Sequence, residues 1–293
     1  MFAAPALCKA RGGRRRPAVR RIEPVIAAAV LVLIAITPAY AATIAALDLA
    51  GAFGTRSPWR FTASQGPDIP DPLIDEGDKV PGAIMLCIAR AGSAANDTCA
   101  PDLMALFRKE EANSDFAEPH YLEAAKIEPP RATGRQALLL IRAASLHSIN
   151  GNQAVATQVL AYDRSADAFR IIYGRIVGRN NNEEVRYIER GPLAGLIVSA
   201  EPTRNAPFGY WITVDRRTQP LAFTQVLRYR SATRYADGND LAVIDAEATN
   251  IAHRLGLWKP GMKPLLPPGR CASPRLRGMA LWCTSVAPRA ARD

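Results

Sequence analysis

The chain has 293 residues and a formal net charge of +10 at pH 7. Seven of its lysines and arginines but only one acid lie within residues 1–41, so the remaining residues carry a charge of only +4. The basic excess therefore belongs mainly to one terminal segment, and the composition does not favour nucleic-acid binding by the rest of the chain.

The N-terminal segment has the three parts of a secretory signal peptide. Basic residues between positions 9 and 21 precede an apolar run over 25–37. Ala39 and Ala41 then supply the small side chains that a signal peptidase requires. A positive flank stays in the cytoplasm while the apolar run enters the membrane. The pattern predicts export and cleavage after Ala41, which would give a periplasmic or secreted product.

An uncleaved signal anchor is the alternative interpretation of the same segment. Apolar character continues to Leu47, and a span over 25–47 is long enough for a helix that crosses a bilayer, which takes about 20 residues. The rest of the chain would then be membrane-anchored, outside the cytoplasm. In both interpretations this segment contacts the membrane at least during export.

Four cysteines follow the N-terminal segment: Cys87, Cys99, Cys271 and Cys283. An even number in an exported chain favours disulfide bonds, and no Cys/His spacing indicates a metal site. The first two and the last two cysteines are each twelve positions apart, which favours two local bonds. Crossed connectivity stays open, because the apolar runs that end at Cys87 and Cys283 could pair as strands.

Composition divides the rest of the chain into three regions. Residues 42–135 are interrupted repeatedly by proline and are predicted to be irregular, with one short strand and one helix. Residues 136–256 should hold an antiparallel sheet and a helix. Residues 257–293 form a proline-rich tail with a final strand.

The middle region contains seven apolar, β-branched or aromatic runs. They begin near Ala137, Ala154, Phe169, Val185, Leu193, Tyr210 and Phe223. Turn-forming residues separate the runs, and spacings of about ten to seventeen residues leave no room for crossover helices. We expect an antiparallel meander of about seven strands.

One amphipathic helix is predicted after the sheet. Asn239 or Asp240 would cap it, apolar residues between Leu241 and Leu255 recur at helical spacing, and Gly256 would end it. Its apolar face should pack on the sheet. The predicted fold class is therefore β-rich α+β, with irregular proline-rich flanks.

The sequence holds no zinc-protease, P-loop, dinucleotide-binding or G-x-S-x-G motif. The remaining catalytic candidate is His147, which lies beside Ser145, Ser148 and an Asn-Gly turn. A serine–histidine pair at these strand ends would suit an exported hydrolase. Polar residues that serve a structural role at a strand end explain the same pattern without a catalytic role.

Two polar stretches are candidate ligand-binding sites. The first contains Arg228, Arg230, Arg234 and Tyr235, and the second is Asn180, Asn181 and Asn182. Alternation on a strand would place the first two arginines on one face, where they could bind an anionic group. The asparagines form a polar loop at a strand end. Arginines paired with nearby glutamates and a wide asparagine turn are the structural alternatives.

Two functions of different classes follow. The first is an exported, non-catalytic β-rich module that binds an anionic ligand or an envelope partner, or has a structural role. The second is an exported hydrolase that uses polar residues around His147. No metal, cofactor or nucleic-acid partner is predicted for either function.

Overall fold

Each of the seven apolar runs of the middle region forms a strand, but these strands belong to two sheets instead of one. The computed structural model describes residues 42–73, 77–92, 99–109, 116–131, 136–179, 183–234, 237–267, 271 and 273–283. In this part of the chain antiparallel sheets dominate and one twelve-residue helix packs on them. The predicted β-rich α+β class is confirmed.

The N-terminal sheet contains three strands in the order β1 (Ala42–Asp48), β2 (Trp59–Gln65) and β5 (Ile84–Arg90). The short helix α1 (Ala50–Phe53) joins the first two strands. A minor hairpin of β3 (Ile69–Pro70) and β4 (Lys79–Val80) lies between β2 and β5 in the chain.

The first strand corrects the long membrane span predicted over 25–47. Ala42 to Asp48 pair with β2 as an antiparallel edge strand, so this stretch does not continue a helix. β-branched Thr43 and Ile44 suit that extended backbone. No helix among the described residues is long and apolar enough to cross a membrane. The apolar core 25–37, Ala39 and Ala41 lie outside the described residues.

The central sheet follows in simple meander order. Its strands are β6 (Tyr121–Glu128), β7 (Leu138–His147), β8 (Gln153–Asp163) and β9 (Ala168–Gly178). A 3-10 helix (Phe107–Lys109) precedes them. Every residue of β8 is buried, because neighbouring layers cover both faces of this sheet. That burial explains why its apolar run shows no alternation.

The C-terminal sheet is a second four-stranded meander. It consists of β10 (Glu184–Tyr187), β11 (Leu196–Pro202), β12 (Tyr210–Gln219) and β13 (Ala222–Ser231). Helix α2 (Val243–Arg254) follows. The last strands of the described chain, β14 (Arg275–Arg277) and β15 (Ala280–Trp282), form a hairpin.

Three apolar cores show that these elements are stacked in layers. Phe61 and Leu139 belong to the core between the N-terminal and central sheets. Leu140 and Ile197 belong to the core between the central and C-terminal sheets. The third core joins the opposite face of the C-terminal sheet to α2. Alternate residues of a strand such as β7 therefore enter different cores.

The predicted region boundaries need correction. Residues 42–135 hold six strands instead of one, and β6 pairs with β7 along its whole length. A boundary at residue 136 would therefore divide the central sheet. All described residues belong to one compact unit. The prolines that suggested irregular chain lie mostly between the strands and not within them.

The start of α2 also differs from the prediction. The helix begins at Val243, and its N-cap Ala242 has no side-chain cap. The Asn239 side chain instead binds the C-terminal hairpin, since its amide donates to the Leu281 carbonyl and its oxygen accepts from the Cys283 N–H, both at 3.0 Å. A residue predicted to cap the helix thus ties the tail to the domain.

Asp167, in the turn between β8 and β9, joins the N-terminal and central sheets. Its carboxylate accepts hydrogen bonds from Ser57 Oγ at 2.6 Å, Tyr162 Oη at 2.5 Å and Trp59 Nε1 at 3.3 Å. Arg90 adds an ion pair at 3.3 Å. The Ser57 bond, followed by the Tyr162 bond, lowers the pKa of Asp167 to about 2.

Glu247 joins α2 to the C-terminal sheet. This glutamate is only 1% exposed. Its carboxylate accepts from Tyr229 Oη at 2.6 Å, Ser231 Oγ at 2.5 Å, Thr233 Oγ1 at 2.7 Å and Asn250 Nδ2 at 2.7 Å. Burial raises the pKa of Tyr229 far above its usual range, so this phenol stays protonated and donates. Four neutral donors thus satisfy one buried carboxylate.

Acid should remove the contribution of Asp167 to stability. A carboxyl whose folded-state pKa is depressed contributes stability above its unfolded pKa of about 4, and the contribution is lost as the pH falls through the folded value. We expect Asp167→Asn to lower the urea midpoint of unfolding at pH 5. Near pH 2 its effect on this midpoint should be much smaller, because the native Asp167 is then being protonated. Asp68→Asn, at an exposed position between β2 and β3, is the control. An Asp167→Asn deficit of equal size at both pH values would contradict this.

Removing the buried carboxylate should destabilise the protein strongly. Glu247→Leu leaves several buried hydroxyls without an acceptor, and we expect a loss of about 3 kcal/mol or more in urea unfolding. Tyr229→Phe should cost less in the Glu247→Leu background than in the native chain, because both changes break the same bond. Additive costs would show that the bond is not part of a coupled network.

Candidate functional site

The predicted pair of arginines on β13 does share one strand face. Tyr229, between them, is buried in the core against α2, and Leu227 packs there too. Arg228 extends to the other side, where its guanidinium lies 4.5 Å from the centroid of the Trp211 ring. A cation–π contact on the adjacent strand therefore accounts for this arginine.

Arg230 holds the loop between β11 and β12. Its guanidinium donates to Thr203 Oγ1 at 3.3 Å and to the backbone carbonyls of Asn205 and Pro207. These contacts fix the connection between β11 and β12. They also differ from the glutamate pairs considered as the structural alternative. The two arginines thus make separate contacts within the described chain, and their predicted role in binding an anionic group stays a prediction.

The other predicted ligand residues are only partly described. Arg234 is exposed, and its backbone N–H donates to Asp237 Oδ2 at 3.3 Å. Tyr235 and Asn180, Asn181 and Asn182 lie outside the described residues. Their predicted role in ligand binding therefore stays a prediction.

A small polar cavity of about 180 Å³ lies beside the two residues that flank the asparagine loop, Arg179 and Glu183. Arg142 also lines it, and Glu123 forms ion pairs with both arginines, at 2.7 Å to Arg142 Nε. Burial lowers the pKa of both arginines and raises the pKa of Glu183. Because both charge signs line this cavity, it shows no preference for an anion.

Among the described residues, neither serine near His147 contacts its imidazole as a nucleophile would. Ser145 Oγ donates to the Leu146 carbonyl at 2.7 Å and accepts from the Ala154 N–H at 3.0 Å. Ser148 Oγ donates to Asn150 Oδ1 at 2.6 Å. Neither hydroxyl donates to the exposed imidazole, which instead lies 6.1 Å from the Tyr121 ring, centroid to centroid. These serines serve the hairpin turn.

The four cysteines form the two local disulfides that their spacing favours. Cys87 bonds Cys99 and Cys271 bonds Cys283, with Cα–Cα distances of 4.9 and 5.6 Å. The crossed alternative needed the strands that end at Cys87 and Cys283 to pair. β5 pairs with β2 and β15 with β14 instead, so the two cysteine pairs stay separate.

The described chain contains a cleft of about 760 Å³. We call it the α2 cleft. Three segments form its walls: residues 186–193 at the end of β10 and the loop after it, the first two turns of α2, and residues 264–267 of the tail. Ile188, Leu193, Ile244 and Ala248 are among the apolar residues that line it. Clefts of this volume with mostly apolar walls are typical of small-ligand sites.

An ionic network lines the cleft near the first turn of α2. Arg186 donates to Glu184 through Nε at 2.7 Å and Nη2 at 2.9 Å, and to Asp245 through Nη1 at 2.6 Å. Burial alone would lower the pKa of Arg186, but these hydrogen bonds outweigh it and raise the pKa. The guanidinium is therefore fully engaged, and it fixes β10 against the helix.

The tail wall of the cleft is held in place by its own contacts. Trp258 Nε1 donates to the Lys263 carbonyl at 2.9 Å, and the Leu265 N–H donates to Thr249 Oγ1 at 3.0 Å. Thr249 is buried in α2. Beyond this wall, the Cys271–Cys283 disulfide connects the tail to the residue that follows β15. Such fixed walls reduce the ordering cost of binding.

Sequence reasoning did not find the α2 cleft. Its walls come from three segments far apart in the chain, and none carries a recognisable motif. One signal was present: Leu265 and Leu266 are an apolar pair within a proline-rich tail, and Leu266 remains 58% exposed in the fold.

The described residues contain no group of three or more His, Cys, Asp or Glu side chains that could hold a metal ion. Comparison with family models, with curated proteins and with solved structures finds no match to this chain.

Proposed function

We propose that this protein is an exported, non-catalytic binding module whose ligand occupies the α2 cleft. One observation carries the proposal: a cleft of about 760 Å³ with largely apolar walls, whose tail wall is hydrogen-bonded to α2. Pockets of about 300–1,000 Å³ with few polar groups are the usual sites for small ligands. The ligand should therefore be a small molecule with an apolar body.

Export is supported by the cysteines. Disulfides form and persist mainly in oxidising compartments outside the cytoplasm, and two are present in the described chain. Cleavage after Ala41 would release the domain, whereas an uncleaved anchor would hold it close to the membrane.

The exported hydrolase remains the alternative, but no contact in the described chain favours it. It would require His147 to activate a nucleophile, and both neighbouring serines donate elsewhere. If His147 were a catalytic base, His147→Ala would lower hydrolysis by orders of magnitude.

Binding of the neutral apolar dye Nile red tests the proposed site. We expect a saturable increase in fluorescence with the native protein. Ala248→Trp fills the cleft from α2 and should weaken binding at least about tenfold, equivalent to about 1.4 kcal/mol. Leu266→Glu, at an exposed wall position, should weaken binding without threatening the fold.

Two controls accompany this measurement. Ala46→Trp adds the same ring at an exposed position of β1, and His147→Ala alters the hydrolase candidate. Both should bind the dye as the native protein does. Equal binding by native protein, Ala248→Trp and Leu266→Glu would refute the α2 cleft as the site.

Intact-mass measurement of the natively exported protein tests the compartment. We expect the mass of a chain that starts at Ala42, less two hydrogens for each of the two disulfides. An anchored protein would keep residues 1–41 but show the same oxidation. A full-length chain with all five cysteines as free thiols would contradict export and disulfide formation together.

A further inference from the structure

We propose that the ligand of the α2 cleft is an amphiphile with an apolar chain and an anionic head group, such as a carboxylate or phosphate. This inference rests on the proposed function and names the ligand class for the same site. It depends on which charges at the cleft are already neutralised and which are available.

The acidic groups at the cleft are all paired. Asp245 accepts from Arg186 at 2.6 Å, and Glu189 forms an ion pair with Lys126. The Lys126 bond, followed by the charges of Lys126, Arg190 and Arg131, lowers the pKa of Glu189, so this carboxylate is ionised at ordinary pH and Lys126 is its ion-pair partner. A cationic head group would have to displace one of these partners. The cleft therefore offers no free negative charge to a ligand.

Arg190 is the charged residue of the cleft lining that forms no ion pair within the described chain. It lies in the exposed loop after β10, next to Glu189, whose carboxylate already binds Lys126. Arg186, the other arginine of the lining, uses three nitrogens on Glu184 and Asp245. Arg190 therefore presents a guanidinium at the rim, where it can bind carboxylate or phosphate oxygens.

The apolar walls supply the second half of the recognition. Ile244 and Ala248 face the cleft from α2, Leu193 from the loop, and the tail wall contributes Leu265 and Leu266. An apolar chain against these residues gains from leaving water, and this gain grows with the apolar area buried. An apolar chain beside a rim cation is the arrangement that suits an anionic amphiphile.

The test compares four ligands with the same apolar chain: decanoate, decyl phosphate, decanol and decyltrimethylammonium. Each displaces Nile red from the native protein at low salt, below the concentration at which it forms micelles. We expect the two anions to bind about two- to fivefold more tightly than decanol, the range for one exposed ion pair. Higher salt should reduce this difference. The cation should bind no better than decanol.

Variants of Arg190 assign the preference to this side chain. Arg190→Gln should remove the advantage of the anions and leave decanol binding unchanged, whereas Arg190→Lys should keep much of it. Arg204→Gln removes an exposed arginine from the loop between β11 and β12 and is the matched control. Anion binding that is unchanged in Arg190→Gln would overturn the assignment.

The anionic head could belong to a free amphiphile or to a lipid in a bilayer. Cosedimentation with phosphatidylglycerol vesicles, but not with phosphatidylcholine vesicles, that is lost in Leu266→Glu would identify a bilayer lipid. Binding of decanoate without cosedimentation would identify a free amphiphile. Either result supports the ligand class.

The two proposals fail in different ways. If Nile red does not bind, or binds equally to Ala248→Trp and Leu266→Glu, the α2 cleft is not the site and the proposed function fails. If Nile red binds there but decanol competes as well as decanoate and decyl phosphate, only the anionic head group is refuted. Tighter binding of decyltrimethylammonium would also overturn it.

Discussion

The buried carboxylate of Glu247 determines how the C-terminal part of this protein is arranged. A carboxylate is costly to bury unless hydrogen bonds within the protein replace those it makes to water. Here the donors are Tyr229 and Ser231 of β13, Thr233 just after that strand, and Asn250 of α2. Arg254, one turn beyond Asn250, lies 4.1 Å above the Tyr229 ring and covers the network. The donors fix both the rotation and the axial position of α2 on the sheet.

The rotation and axial position of α2 on the sheet determine whether the α2 cleft can form. Ile244 and Ala248 lie one turn apart on α2 and line the cleft, while Glu247 is bonded to Tyr229 and Ser231 of β13. A rotation of the helix that broke the Glu247 network would also turn these two residues away from the loop after β10. The same helix holds the tail wall through Thr249. The geometry of the proposed site thus follows from a polar network that does not line it.

The sequence allowed the strands of residues 136–235 to be located, because apolar runs and turn residues are local signals. It did not reveal that these strands form two sheets, since that division depends on contacts between distant strands. β1 was misinterpreted because Ala42 to Leu47 continues an apolar run, and periodicity cannot separate a short strand from a helix. Glu247 was overlooked because three of its four partners lie 14 to 18 positions earlier in the chain. The α2 cleft required three distant segments to be brought together.

The stacking order of the layers equals their order in the chain. The N-terminal sheet packs on the central sheet, the central sheet on the C-terminal sheet, and that sheet on α2. Both disulfides close within twelve positions, so neither links one end of the protein to the other. A chain that emerges from a ribosome or a translocation channel can therefore complete one layer before the next arrives. At each stage only one apolar sheet face is not yet packed against the next layer, which limits the exposed apolar surface through which chains could aggregate during synthesis.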